Sequence, residues 1–190
     1  MGRWQPDSRA RLERAALELF VERGFEQTTV AQIAARAGLT ERTFFRHFAD
    51  KREVLFGGGQ ELEGVLARLV AEAPAGVPPL EAIVAALEKV ADEVFAERQS
   101  LARQRQSIVE ANPELQEREL LKLASLSGAL ARTLRERGIG DTAASLAAES
   151  GVTVFKVAFV RWLDPHNARS LAELVRDAVT ELRALATRAR

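Results

Sequence analysis

Residues 28–48 read TTVAQIAARAGLTERTFFRHF. Thr29 and Gln32 have the spacing of a capping box, in which each side chain satisfies a backbone N–H at a helix start. Val30, Ile33, Ala34 and Ala37 then recur at helical spacing and form one apolar face. Gly38 stands where a helix end needs a left-handed residue. Thr40 is the next N-cap, and a second helix runs from it through Arg46 and His47. Helix, glycine turn, helix is the arrangement that lays its second helix in a DNA major groove. On that second helix Phe44 and Phe48 are four apart and point inward together. Arg42, Thr43, Arg46 and His47 are left for the outer face.

Charge supports this reading. The chain is neutral, with 27 basic and 27 acidic residues. Yet from Arg36 to Arg52 five basic residues (Arg36, Arg42, Arg46, Lys51, Arg52) stand against two acidic ones (Glu41, Asp50). Positive charge is therefore placed rather than general, as a small DNA-contacting module requires. The bland alternative, a solvated helix face with two arginines, does not account for the caps, the glycine turn and the aromatic pair together.

The stretch RARLERAALELFVERGFEQTTVAQIAARAGLTERTFFRHFADKREVLF, residues 9–56, resembles the DNA-binding domain of TetR-family transcriptional regulators. The resemblance covers about a quarter of the chain and rests on helix order and caps as well as letters. It implies an all-α homodimer: an N-terminal three-helix helix-turn-helix domain over residues 1–50, and a helical ligand-binding and dimerisation domain over residues 51–190, with about nine helices in all. It implies a regulator, most simply a repressor, that binds a palindromic operator in double-stranded DNA and is released by a small molecule. By the same resemblance Thr43 and Arg46 match base-contacting positions, and Thr28, Thr29, Thr40, His47 and Lys51 match phosphate-contacting ones. Two positions depart from the family pattern. Arg42 stands where a small residue is common, and Phe45 where tyrosine is usual, so a phosphate bond from the hydroxyl is lost. Arg42 is the natural compensator.

Outward from this segment, the chain of 190 residues is 47% hydrophobic, enough for one small and one larger core. Leu, Ala, Glu and Arg dominate, and no period-two run of β-branched residues appears. The absence of cysteine excludes disulfides and thiolate metal sites and fits a reducing, cytoplasmic setting. MGRWQPDSRAR has no apolar run behind its charges, so no signal peptide is expected. The apolar stretch Val152 to Leu163 is broken by Lys156 and Arg161 and is too short to span a bilayer, so no membrane association is expected.

Asp7 or Ser8 caps the first helix, whose buried face is Leu12, Ala15, Ala16, Leu19 and Phe20, with Gly24 ending it. Phe25 is expected to join Phe20, Ile33, Phe44 and Phe48 in a small core. Asp50 opens the fourth helix, which carries Gly57-Gly58-Gly59. Three interior glycines cost on the order of 3 kcal/mol against alanine. Such a run is either a kink, close packing against the first helix, or a hinge. APAGVPP, residues 73–79, is a loop. Helices follow over Leu80–Phe95, Arg98–Ala111, from Pro113 to Gly138, from Asp141 or Thr142 to about Trp162, and from Ser170 onward. Leu120, Leu123, Leu126, Leu130 and Leu134 are expected to line one; Leu171, Leu174, Val175, Ala178, Val179, Leu182 and Leu185 the last.

The helix over 141–162 is apolar on more than one face, which implies burial on all sides. A partner subunit supplies that cover, and the expected dimer interface is Val154, Val157, Ala158, Trp162, Leu171, Leu174, Ala178 and Leu182. A central core helix in a monomer is the alternative. The family places a pocket in the C-terminal domain. Leu87, Val94, Phe95, Leu123, Leu126, Phe155 and Phe159 are its candidate lining for a small apolar or amphipathic ligand, though ordinary core uses the same residue types. Arg98, Arg103 and Arg105 could meet an anionic group or form a solvated face. The C-terminal half also resembles actinobacterial mycofactocin-linked regulators, which implies an acyl-thioester or fatty-acid-like ligand.

Competing functions are weighed by chemistry. The two histidines, His47 and His166, fall in different elements, cysteine and tyrosine are absent, and no paired carboxylates or metal-ligand spacing stand out. Neither catalysis, a metal nor a cofactor is expected. An activator of the same fold, or a helical interaction protein without DNA readout, remain the alternatives.

Overall fold

Thr29 and Gln32 close their box: the Thr29 hydroxyl accepts from the Gln32 amide at 3.2 Å, and the Gln32 side chain accepts from the Thr29 amide at 3.0 Å. This pair starts α2 (Val30–Arg36), which follows α1 (Ser8–Arg23). The Thr40 hydroxyl accepts from the Thr43 amide at 3.2 Å and starts α3 (Glu41–His47). Gly24 and Gly38 take positive φ, 83° and 63°, the conformation that turns the chain between these helices. The computed structural model describes residues 8–187, so the Asp7 alternative for the first cap lies outside the described residues.

Every regular element among those residues is helical. After α3 come α4 (Glu53–Phe56), α5 (Gly59–Ala71), α6 (Pro79–Val90), a π-helical turn (Ala91–Phe95), α7 (Gln99–Glu110), α8 (Pro113–Glu136), α9 (Asp141–Leu163) and α10 (Leu171–Thr187). Where one fourth helix is expected there are two pieces, because Gly57 and Gly58 interrupt the helix between α4 and α5. Asp50 does open α4, its carboxylate accepting from the Arg52 and Glu53 amides at 2.8 and 3.1 Å. Ser170 opens α10 through a full capping box with Glu173. Neither Asp141 nor Thr142 caps α9. Gly140 holds the cap position without a side-chain bond, and Asp141 sits in the first turn, where its charge suits the helix dipole.

The residues group into two compact units. Among the described residues the first comprises 8–59 with 103–119. Its core holds Leu12, Leu19, Phe20, Phe25, Ile33, Phe44 and Phe48, joined by Val54, Phe56, Ile108, Val109 and Leu115. Phe20 meets Phe25 at 5.1 Å and Phe44 meets Phe48 at 5.4 Å between ring centroids. Segment 103–119 brings Arg105, which donates to the Leu55 carbonyl at 3.1 Å, stacks over Phe56 and pairs with Glu119. Arg105 is thus committed inside this unit.

The second unit comprises, among the described residues, 60–102 and 120–187. α6, α9 and α10 pack together around Ile83, Leu87, Ala144, Ala148, Val154, Ala158, Leu174 and Val175, with Leu66 and Leu130 in the same core. Gly151 lets α6 and α9 approach closely, for a β-carbon there would lie 2.5 Å from Ile83 Cγ2. By length and composition α9 would also qualify as a membrane span, since the helix runs well beyond the Val152–Leu163 stretch. Two leucines expected to be covered are not: Leu120 and Leu185 lie exposed, at the outer edges of the faces that Leu126, Leu130 and Leu134, and Leu174 and Val175, bury.

Candidate nucleic-acid interface

The geometry of α3 follows from its two inward rings. Phe44 is fully buried and Phe48 nearly so, which fixes the rotation of the helix and turns Arg42, Phe45 and Arg46 to the surface. Thr43 and His47 are half-buried at the edges of this face. Arg42, Thr43, Phe45 and Arg46 together line a shallow concavity. Phe45 packs edge-on against Phe44 at 5.5 Å. The Thr40 and Thr43 hydroxyls lie 3.1 Å apart. His47 Nε2 lies 2.8 Å from Ser8 Oγ and 3.5 Å from Arg46 Nη2. Burial, then the nearby Arg46 and Arg9 guanidinium groups, hold the His47 imidazole below its ordinary value and favour the neutral ring.

The local positive charge divides into a presented and an occupied part. Arg36 makes paired bonds to Glu22 at 2.9 and 2.8 Å and a longer one to Glu18. Arg52 is held by Asp50 at 2.6 Å. Lys51 donates to the Phe25 carbonyl at 2.8 Å and the Thr28 carbonyl at 3.3 Å, with its ammonium 4.2 Å from the centre of the Phe25 ring. The cation expected at a phosphate is therefore engaged in the turn between α1 and α2. Thr28 is buried too, its hydroxyl donating to the Gly24 carbonyl at 2.9 Å. Thr29, Thr40, Arg42, Phe45 and Arg46 are exposed. What the sequence does not signal is Ser8 as partner of His47, and Arg11, which donates to the Ala37 carbonyl and pins the turn at Gly38.

In the second unit the expected pocket residues split. Leu87 and Leu126 belong to the packed core. Val94, Phe95, Leu123, Phe155 and Phe159 are half-buried against it. Phe95, on the π-helical turn, meets Phe159 at 5.8 Å and Phe155 at 6.3 Å. Trp162 completes this aromatic group, 5.8 Å from Phe95 and 5.6 Å from Phe159, and its carbonyl accepts from Gln99 Nε2 at 2.6 Å. From the sequence Trp162 is expected at the dimer interface; the helical spacing of Phe155, Phe159 and Trp162 is the signal that places it in this group.

The residues expected at a dimer interface differ in how far the chain itself buries them. Val154, Ala158, Trp162, Leu171, Leu174 and Ala178 all lie inside the chain's own core, and Leu182 is half-buried. α6 and α10 cover the inner side of α9. Only Val157 of that set is exposed, and it shares the outer side of α9 with Leu146 and Val160.

Comparison with known proteins matches two stretches of the chain. A family model described as bacterial regulatory proteins of the tetR family matches residues 13–56, and one described as the MftR C-terminal domain matches residues 77–187. The chain is 35% identical over 154 residues to the HTH-type transcriptional regulator TcmR of Streptomyces glaucescens, covering 78% of this chain and 68% of that one. Among solved structures it is similar to the Thermus thermophilus repressor FadR in complex with lauroyl-CoA, with 27% identity, a TM-score of 0.54 and coverage of 92% and 93%. A TetR-family regulator from Streptomyces coelicolor shares the fold at a TM-score of 0.59 and 23% identity, covering 98% and 99%. Proteins of this group are DNA-binding regulators rather than enzymes, and the chain belongs to the TetR family of transcriptional regulators.

Proposed function

We propose that the protein is a ligand-released repressor that binds a palindromic operator as a homodimer. The observation that carries this reading is the outer face of α3, where Arg42, Thr43, Phe45 and Arg46 stand together on a helix oriented by a buried aromatic core. Arg46 and Thr43 read bases; Thr29, Thr40 and His47, with Ser8 behind it, hold phosphates. Thr28 and Lys51, which match phosphate-contacting positions, also hold the turn between α1 and α2 through the Gly24 and Phe25 carbonyls. DNA contact belongs to residues 1–50, and ligand and dimer contacts to residues 51–190. Two-fold symmetry of the protein matches the palindrome, and the exposed side of α9 with Leu146, Val157 and Val160 is the apolar surface for the second copy.

The ligand we infer is an acyl thioester or a related fatty-acyl compound. The lauroyl-CoA-bound relative and the match to the MftR C-terminal domain favour it, and the half-buried Phe95, Phe155 and Phe159 group beside Leu123 and Val94 is where an acyl chain would lie. Ligand and operator affinities are then linked reciprocally, so DNA also weakens ligand binding.

The test is selection of bound duplexes from a random pool, followed by affinity measurements at two salt concentrations. A palindromic consensus with steep salt dependence is expected. Lauroyl-CoA added to that complex is expected to release the DNA, and Arg46→Ala to weaken it by about 1–3 kcal/mol. Absence of any enriched sequence would overturn the regulator reading; DNA unaffected by lauroyl-CoA would overturn the ligand class alone.

A further inference from the structure

Phe45 is 55% exposed, yet it sits at the centre of the most polar face of α3, with Arg42 three residues before it and Arg46 next to it. A large ring in water is unfavourable in proportion to its apolar area, so its natural partner is apolar. The ring has no hydroxyl and offers a phosphate nothing. It is not free to swing far, because its edge-on contact with Phe44 ties it to a residue that is wholly buried. The flanking guanidinium groups favour an anionic surface around whatever the ring touches. A duplex major groove presents one apolar group among its hydrogen-bonding edges, the C5-methyl of thymine.

We propose that Phe45 is a specificity-determining residue that reads a thymine methyl group in each operator half-site. The inference rests on the DNA-binding reading above and deepens it, because it names the base that the hydroxyl-free ring selects. Deoxyuridine in place of thymine tests it, since that exchange removes the methyl and leaves every hydrogen-bonding group of the base pair intact. The random pool contains no modified base, so the only methyl group it offers is thymine's.

Once the operator is selected, each thymine is replaced in turn by deoxyuridine and affinity is measured for the full-length protein and for Phe45→Ala. Burial of one methyl-sized group is worth roughly 0.8 kcal/mol, which converts to about a fourfold loss for one half-site and about fifteenfold for both. That loss is expected at one thymine per half-site for the unaltered protein and is expected to vanish in Phe45→Ala. Phe45→Leu, which keeps an apolar side chain, retains part of it and guards against misfolding of the alanine variant, whose helicity is checked by circular dichroism. A flat deoxyuridine scan, or a deoxyuridine loss of equal size in Phe45→Ala, overturns the inference while leaving the DNA-binding reading intact. Failure to enrich any operator overturns both.

Discussion

The two units solve the same problem, burying helices, by different means. The first is built on aromatic rings and holds its turns by cations that donate to backbone carbonyls: Arg9 to Gly57, Arg11 to Ala37, Lys51 to Phe25 and Thr28, Arg105 to Leu55. The second relies on aliphatic and alanine packing between α6, α9 and α10, and uses the same device at one loop, where Arg137 bonds the Val70, Ala73 and Pro74 carbonyls. Its aromatic rings, three half-buried and Trp162 buried, are gathered in one group at a π-helical turn, a feature that often marks functional sites in helical proteins. A unit pinned by directional bonds suits a surface that must match DNA. A unit held by apolar contact, with its rings gathered at one place, suits an apolar ligand.

The sharpest way to break this comparison is Phe44→Ala. Phe44 is wholly buried and touches both Phe45 and Phe48, so truncation is expected to cost about 3–5 kcal/mol. If the two cores are separate cooperative units, calorimetry will show one transition lowered and the other unmoved, with operator binding lost. A single shifted transition would mean that the units unfold as one. The counterpart in the second unit is Gly151→Ala. Its β-carbon would press on a branched, buried isoleucine rather than a flexible side-chain end, so overpacking is expected to cost about 1–3 kcal/mol. Unchanged thermal stability would show that α6 and α9 can separate at little cost.

The glycine run gives a smaller and more discriminating effect. A β-carbon at Gly57 would meet Glu13 Oε1 at 2.7 Å and the Phe48 ring at 3.0 Å, whereas at Gly58 and Gly59 it meets nothing. Close packing against α1 therefore explains the first glycine only. Gly58→Ala is expected to stabilise by roughly 0.5–1 kcal/mol through the unfolded chain, and Gly57→Ala to gain less, because the buried Phe48 ring must give way. Denaturation midpoints of the two variants check the difference; equal and positive shifts would remove the packing role. If Gly58→Ala also blunts the response to ligand, the flexibility of this segment is functional.

These cases show where the sequence was informative. The caps and turns at Thr29, Gln32, Gly38 and Thr40 were legible because both partners lie within a few residues of each other. The outward face of α3 was legible because the inward pair Phe44 and Phe48 leaves one side. The reasons for Gly57 and Lys51 were not, since each is set by groups far away in sequence: Glu13 and Phe48 for Gly57, the Phe25 and Thr28 carbonyls for Lys51. Which side of α9 faces inward was hidden for a related reason. Its letters are apolar nearly all round, so nothing in them says which stripe meets α6 and α10 and which is left outside. Val154, Ala158 and Trp162 went inward, while Leu146, Val157 and Val160, no less apolar as a group, stayed in solvent.

The smallest expected effect sets the stability of the first unit against its task. His47 has a depressed value in the folded chain, caused first by burial and then by Arg46 and Arg9. The unfolded chain titrates near the ordinary histidine value of about 6.5. Between the folded value and that figure the unfolded state binds more protons, so stability rises with pH across this window and is lost as the pH falls through it. His47→Gln should flatten that slope in thermal melts between pH 5 and 7.5. Operator binding has the opposite sign. A phosphate against Ser8 and His47 would favour the protonated ring, so affinity should increase as the pH falls through the same window, beyond what the arginines contribute. Nuclear magnetic resonance titration of the His47 ring, with and without operator, separates the two: a value raised by DNA supports a phosphate contact there. A value that DNA leaves in place would make the Ser8–His47 bond purely a brace between α1 and α3.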